Sequence, residues 1–176
     1  MISHLTFSDK IDALYSEFMS GEARAGSDGP YREEVEVISA ACRIKYNRGT
    51  HYIQLGGMVP GKPEDQNYYR GELGGQLGFM CAIKIMESIL GGPLVINSCD
   101  KISILRQASI YPEAVKSIWK QLDLISRIFD VYNSMESGMS LVHIHEHQNN
   151  GRLDSNLTPL APLNVRMDPL VEQIMA

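Results

Sequence analysis

The chain has 176 residues, 44% of them apolar and 21% charged, which is enough to bury the core of one compact domain and excludes general disorder. Sixteen basic against twenty-one acidic residues leave a net charge of −5 at pH 7. That balance excludes holding nucleic acid by blanket phosphate neutralisation, while permitting a local basic stripe or a cation site built from carboxylates.

Asp9, Lys10, Asp12 and Glu17 break up the first twenty residues, against a secretory signal. Ile11, Leu14, Tyr15 and Phe18 recur at helical spacing and predict a short helix over Phe7 to Met19. Asp28-Gly29-Pro30 is a turn signal. Val35 to Lys45 reads as a strand, with Ile38, Ala40, Cys42 and Ile44 on one face. Asn47-Arg48-Gly49 turns the chain and His51 to Leu55 returns as a second strand. Gly56 to Asn67, with two prolines, reads as a loop.

The clearest helix runs from about Tyr68 to Leu90 and stops at Gly91-Gly92-Pro93. Its glycines (Gly71, Gly74, Gly75, Gly78) each cost about 1 kcal/mol of helix propensity, so close approach of the helix to a sheet should offset them. Leu94-Val95-Ile96 is a buried strand ending at Asn97-Ser98-Cys99-Asp100. A short helix follows over Ile102 to Ala108, and a longer one from after Tyr111-Pro112 to about Met135. Ile118, Leu122, Ile125, Phe129 and Tyr132 form its core-facing stripe. Ser140 to His147 alternates as a strand, Asn149 to Pro162 is a loop, and the last dozen residues look helical. No unbroken apolar run reaches the ~20 residues of a membrane span. The order predicts an α/β domain with a mixed sheet: antiparallel first strands, then parallel strands joined by helical crossovers. Cys42, Cys81 and Cys99, odd in number and scattered, fit neither a disulfide framework nor a zinc ribbon and point to a reduced intracellular compartment, nuclear or cytoplasmic.

Four acidic residues invite a chemical reading, and each has a bland one beside it. Glu72 lies within about 40° of Phe79, Ile83, Met86 and Leu90 on a helical wheel. Either it is a core-edge carboxylate that needs a partner or a metal, or it simply favours the helix N-terminus. Asp100 closes a strand at the end where α/β ligand sites lie, or caps a helix. Asp28 and Asp168, before Gly29-Pro30 and Pro169, suit a turn and an N-cap. His143, His145 and His147 alternate on one strand face and could hold zinc, or simply line a half-exposed strand. Lys116, Lys120 and Arg127, with Asp123 among them, read as a solvated charged face, and Trp119 as a partly buried core residue.

In combination the chain resembles the ribonuclease H domain, especially the kind attached to eukaryotic retroelement reverse transcriptases. Ala25-Gly26-Ser27-Asp28-Gly29 is similar to the first strand ending in Asp-Gly. Tyr68-Tyr69-Arg70-Gly71-Glu72-Leu73-Gly74-Gly75 resembles the Tyr-Arg-x-Glu-Leu-x-Gly helix opening. Val95-Ile96-Asn97-Ser98-Cys99-Asp100 resembles the strand ending in Cys-Asp. Val142 to Asn150 with Leu160 to Leu170 resembles the His-containing turn and the Leu-Asn-Val-x-x-Asp that follows it. The resemblance implies a ribonuclease H-like domain over residues 23–176, preceded by a helical extension over 1–22. It implies Asp28, Glu72, Asp100 and Asp168 as ligands of two Mg²⁺ or Mn²⁺ ions, His147 as an auxiliary proton-transfer residue, and hydrolysis of the RNA strand of an RNA–DNA hybrid. A reverse transcriptase domain is the implied protein partner. The chain departs from the family pattern at Glu146, at Pro30 and at Pro169. These departures motivate a second reading, a ribonuclease H-like scaffold that binds nucleic acid or protein without cutting.

Overall fold

The computed structural model describes residues 4–7, 11–29, 31–32, 37–46, 51–93, 95–100 and 121–143. In chain order these form β1 (His4–Phe7), α1 (Ile11–Ser20), β2 (Arg24–Asp28), β3 (Tyr31–Arg32), β4 (Val37–Tyr46), β5 (His51–Met58), a 3₁₀ turn (Pro63–Asp65), α2 (Tyr68–Leu90), β6 (Val95–Asp100), α3 (Leu122–Ser134) and β7 (Gly138–His143). The expected helices over Ile102 to Ala108 and at the C-terminus lie outside the described residues, as does the start of the helix that ends in α3.

The sheet is mixed, in the order β1-β5-β4-β2-β6-β7, with β3 pairing β4. β1, β5, β4 and β2 are antiparallel neighbours, whereas β2, β6 and β7 run parallel. The period of two along β4 sorts its side chains. Ala40, Cys42, Ile44 and Tyr46 are buried, and Arg43 and Lys45 are half-exposed on the other face. There the Arg43 guanidinium lies 4.5 Å from the Tyr52 ring centre and donates through Nε to Gln54 Oε1 at 2.9 Å. Ile53 and Leu55 pair with Ile44 and Cys42 and extend the buried face across β5.

α2 covers that face, packing on β4, β2 and β5, and α3 packs against α2. Asn67 caps its start by accepting from the Arg70 amide at 2.9 Å. Gly91, at φ 76°, ends it in the left-handed conformation. Near that end Glu87 is buried and accepts from the Ser137 amide, tying α2 to the turn before β7. Burial tends to raise the Glu87 carboxyl, but hydrogen bonds from Ser137 and the Lys84 ammonium outweigh it and hold the group below its ordinary value.

Three differences from the sequence expectations have physical causes. The first helix begins at Ile11, because His4–Phe7 pairs with β5 as an edge strand. Gly56, Gly57 and Met58 continue β5, since Ala41, Ala40 and Ser39 supply their ladder partners. Within Tyr69–Leu90 of α2, an 18-residue window is apolar enough to cross a bilayer, at a mean hydropathy of 1.3, which a search for unbroken apolar runs passes over. With 61% of that stretch buried inside the domain, the sheet and α3 account for its apolarity.

Candidate active site

β2 and β6 lie side by side and parallel, with Arg24 opposite Asn97, Ala25 opposite Ser98 and Gly26 opposite Cys99. One step further along that register are Ser27 and Asp100, and Asp28 follows. Both strands end on an aspartate at the same edge of the sheet, Asp28 closing β2 and Asp100 closing β6. This is the carboxyl end of the parallel strands, where ligands of open α/β sheets bind.

α2 brings Glu72 to the same corner through two contacts. A Cβ on Gly29 would stand 1.9 Å from the Gly71 carbonyl oxygen, so the residue after Asp28 touches the backbone of the residue before Glu72. One turn later the Ser27 hydroxyl donates to Gln76 Oε1 at 3.4 Å. Glu72 itself is 8% exposed. Close approach thus offsets part of the helix cost: the Gly71 backbone lies against Gly29, and Gly74 lies against Val59, whose Cγ2 a Cβ would meet at 2.4 Å.

The start of α2 is fixed by Arg70, 2% exposed. Its guanidinium donates through Nε to the Pro60 carbonyl at 2.9 Å, through Nη1 to Asp123 Oδ1 at 3.0 Å and through Nη2 to Asp123 Oδ2 at 2.6 Å. Nη1 also donates to Gln121 Oε1, and Gln121 Nε2 donates to the Asp65 carbonyl at 3.0 Å. Gly61 passes so close that a Cβ there would lie 2.5 Å from Arg70 Nε. Hydrogen bonds from Arg70 hold the Asp123 carboxyl below its ordinary value despite the opposing effect of partial burial. Asp123, its side chain 61% exposed, lies on the solvated side of α3 as the sequence suggested and also pairs with the buried Arg70, which the sequence did not show. Of that face, Arg127 is exposed and lies 4.0 Å from Asp130, and Lys116 and Lys120 lie outside the described residues.

Three of the expected ligand positions, Asp28, Glu72 and Asp100, are therefore gathered at one corner, Glu72 by the seating of its helix and the two aspartates by strand backbone. Asp168, His147 and His145 lie outside the described residues. His143 closes β7 in register with Asp100, a neighbour that sequence periodicity alone could not assign. Among the described residues no three His, Cys, Asp or Glu side chains cluster as metal ligands. The three positions at this corner are all carboxylic residues, a type that suits hard, oxygen-preferring cations such as Mg²⁺ or Mn²⁺. Cys42 is not a candidate nucleophile, since burial pushes its thiol up to about 12.

No protein-family model matches the sequence, and neither does any curated protein. Solved structures do match. LC11-RNase H1, in complex with an RNA/DNA hybrid, aligns at 10% identity and a TM-score of 0.59, over 88% of this chain and 99% of that one. RNase H1 from the halophilic archaeon Halobacterium salinarum NRC-1 aligns at 13% identity and a TM-score of 0.50, over 76% of this chain and 92% of that one. The fold is ribonuclease H-like.

Proposed function

We propose that the chain is a metal-dependent nuclease of the ribonuclease H type, hydrolysing the RNA strand of RNA–DNA hybrids. The observation that carries this reading is the convergence of Asp28, Glu72 and Asp100 at the carboxyl end of the parallel strands, reached from three separate segments. The fold supports it, and one structural neighbour is bound to an RNA/DNA hybrid. The Tyr68-to-Gly75 and Cys99-Asp100 motifs favour the retroelement type, with a reverse transcriptase domain as natural partner.

Asp28, Glu72 and Asp100 would hold the Mg²⁺ or Mn²⁺ ions, with Asp168 as a fourth ligand. When bound, two such ions supply an activated water and neutralise charge at the leaving 3′ oxygen. The carboxylates' part is to concentrate negative charge where cations are wanted and to fix its position on two strand ends and a buried helix. Burial of Glu72 limits its rotamers, so little conformational entropy is lost on ligation. His147 would accept or return a proton near the departing product.

The test is cleavage of a labelled RNA–DNA hybrid in Mg²⁺ and then Mn²⁺, with RNA duplex, DNA duplex and single strands alongside. Hybrid-specific cutting is expected, lowered about 100-fold or more by Asp28→Asn, Glu72→Gln or Asp100→Asn, with the fold retained. Unchanged cutting in these variants would remove the reading. Absence of cutting by folded protein in either metal would favour the non-cleaving scaffold that Pro169 and Glu146 motivate.

A further inference from the structure

We infer that Arg70, gripped by Asp123 and Gln121, is a positioning residue that sets Glu72 for cation binding; this rests on the proposed metal site. A guanidinium 2% exposed is costly to desolvate, and the chain surrounds it with acceptors from three residues in two segments: Pro60 before α2, and Gln121 and Asp123 at the start of α3. The Asp123 contact is two-pronged, a geometry that fixes direction as well as distance.

Arg70 stands two residues before Glu72, and α2 is held at the same level on its other side by the Gly71–Gly29 contact. The first turn is therefore held between α3 and the end of β2. A shift of either anchor rotates or slides Glu72 relative to Asp28. The Gln121 link to the Asp65 carbonyl ties the loop before α2 into the same grip. Simple stabilisation would be served as well by an apolar residue at position 70, since burying a guanidinium carries a desolvation cost that a 61% exposed partner offsets only in part. What the ion pair adds is a defined orientation at the point where the helix enters the site.

The experiment is Mg²⁺ binding by titration calorimetry on the full chain, with thermal midpoints measured on the same samples. Asp123→Asn should weaken Mg²⁺ binding about tenfold while moving the midpoint by only a few degrees, and Asp123→Glu should restore most of the affinity. Arg70→Lys should act in the same direction, and Arg127→Gln, on the exposed side of α3, should leave binding unchanged. If Arg70→Lys does not fold, Asp123→Asn decides, because the Asp123 side chain is 61% exposed and its loss is tolerable. Wild-type affinity in a folded Asp123→Asn variant overturns the inference, as does a loss that Asp123→Glu fails to restore. A wild type that binds Mg²⁺ but cuts no hybrid removes the nuclease reading while the Asp123→Asn comparison still decides positioning. A wild type that binds no Mg²⁺ overturns both.

Discussion

At the level of single residues, the corner depends on the absence of a side chain as much as on the presence of carboxylates. Gly29 meets the backbone of Gly71, which cannot give way as a flexible side chain could. Gly29→Ala should therefore destabilise the fold by about 1–3 kcal/mol or more, as overpacking does. It should also push Glu72 from Asp28, so that Mg²⁺ affinity falls further than the Gly74→Ala variant loses it. Chemical denaturation and calorimetry on the two variants check this, since at Gly74 the obstacle is the Val59 side chain. The carboxylates were only half legible in the sequence. Glu72 stood out because helical phase put a charge on an apolar stripe. Asp28 and Asp100 each had an ordinary turn or cap reading, and only the parallel pairing of β2 with β6 joins them. Arg70 and Asp123 were missed as a pair because they lie in different helical segments, and no periodicity links them. The available signal was the buried helix start itself, in which an arginine must have an acceptor.

Among the elements, α2 matches its expected bounds, since the Gly91-Gly92-Pro93 stop is a local feature; the cap by Asn67 at its other end is seen only in the structure. β1 was invisible because four residues, His-Leu-Thr-Phe, become a strand only by pairing with β5, some fifty positions away. The extension of β5 through Gly56 and Gly57 was hidden for the same reason: glycines carry no alternation to read. One position in α2 has no packing reason to be glycine. A Cβ on Gly78 would meet nothing within 4 Å, so Gly78→Ala should recover helix propensity and stabilise by about 1 kcal/mol. That corresponds to a rise of roughly 2–4 °C in thermal midpoint, measurable by calorimetric scanning. A fall would mean that the neighbouring apolar cleft, lined by Cys42, Leu55 and Val59 as well as Gly78, needs its space.

For the whole molecule, the core takes in the first residues of the chain. Leu14 and Phe18 of α1, 4% and 0% exposed, belong to the same cluster as Ile44 of β4 and Ile83 of α2. Phe18→Ala should cost about 3–5 kcal/mol, the range for large-to-small core changes. Deleting residues 1–22 should cost more and leave the β5 edge unpaired, promoting association. Urea titration of both variants measures the effect. Wild-type stability in the deletion would instead mark residues 1–22 as a separable extension.

The touching backbones of Gly29 and Gly71 also bear on the order in which the molecule comes into being. The two residues flank the β3–β5 meander, so their contact closes a long loop and cannot precede the antiparallel ladder that returns the chain to β2. Asp100 depends on a further closure, the docking of β6 beside β2 across the length of α2. Long closures of this kind are slow to form and are rewarded only when the non-local pairing is complete. An emerging or half-folded chain therefore holds its acidic residues apart. On the proposed function, the cation site would be complete only with the finished sheet, and metal affinity would serve as a readout of completed folding.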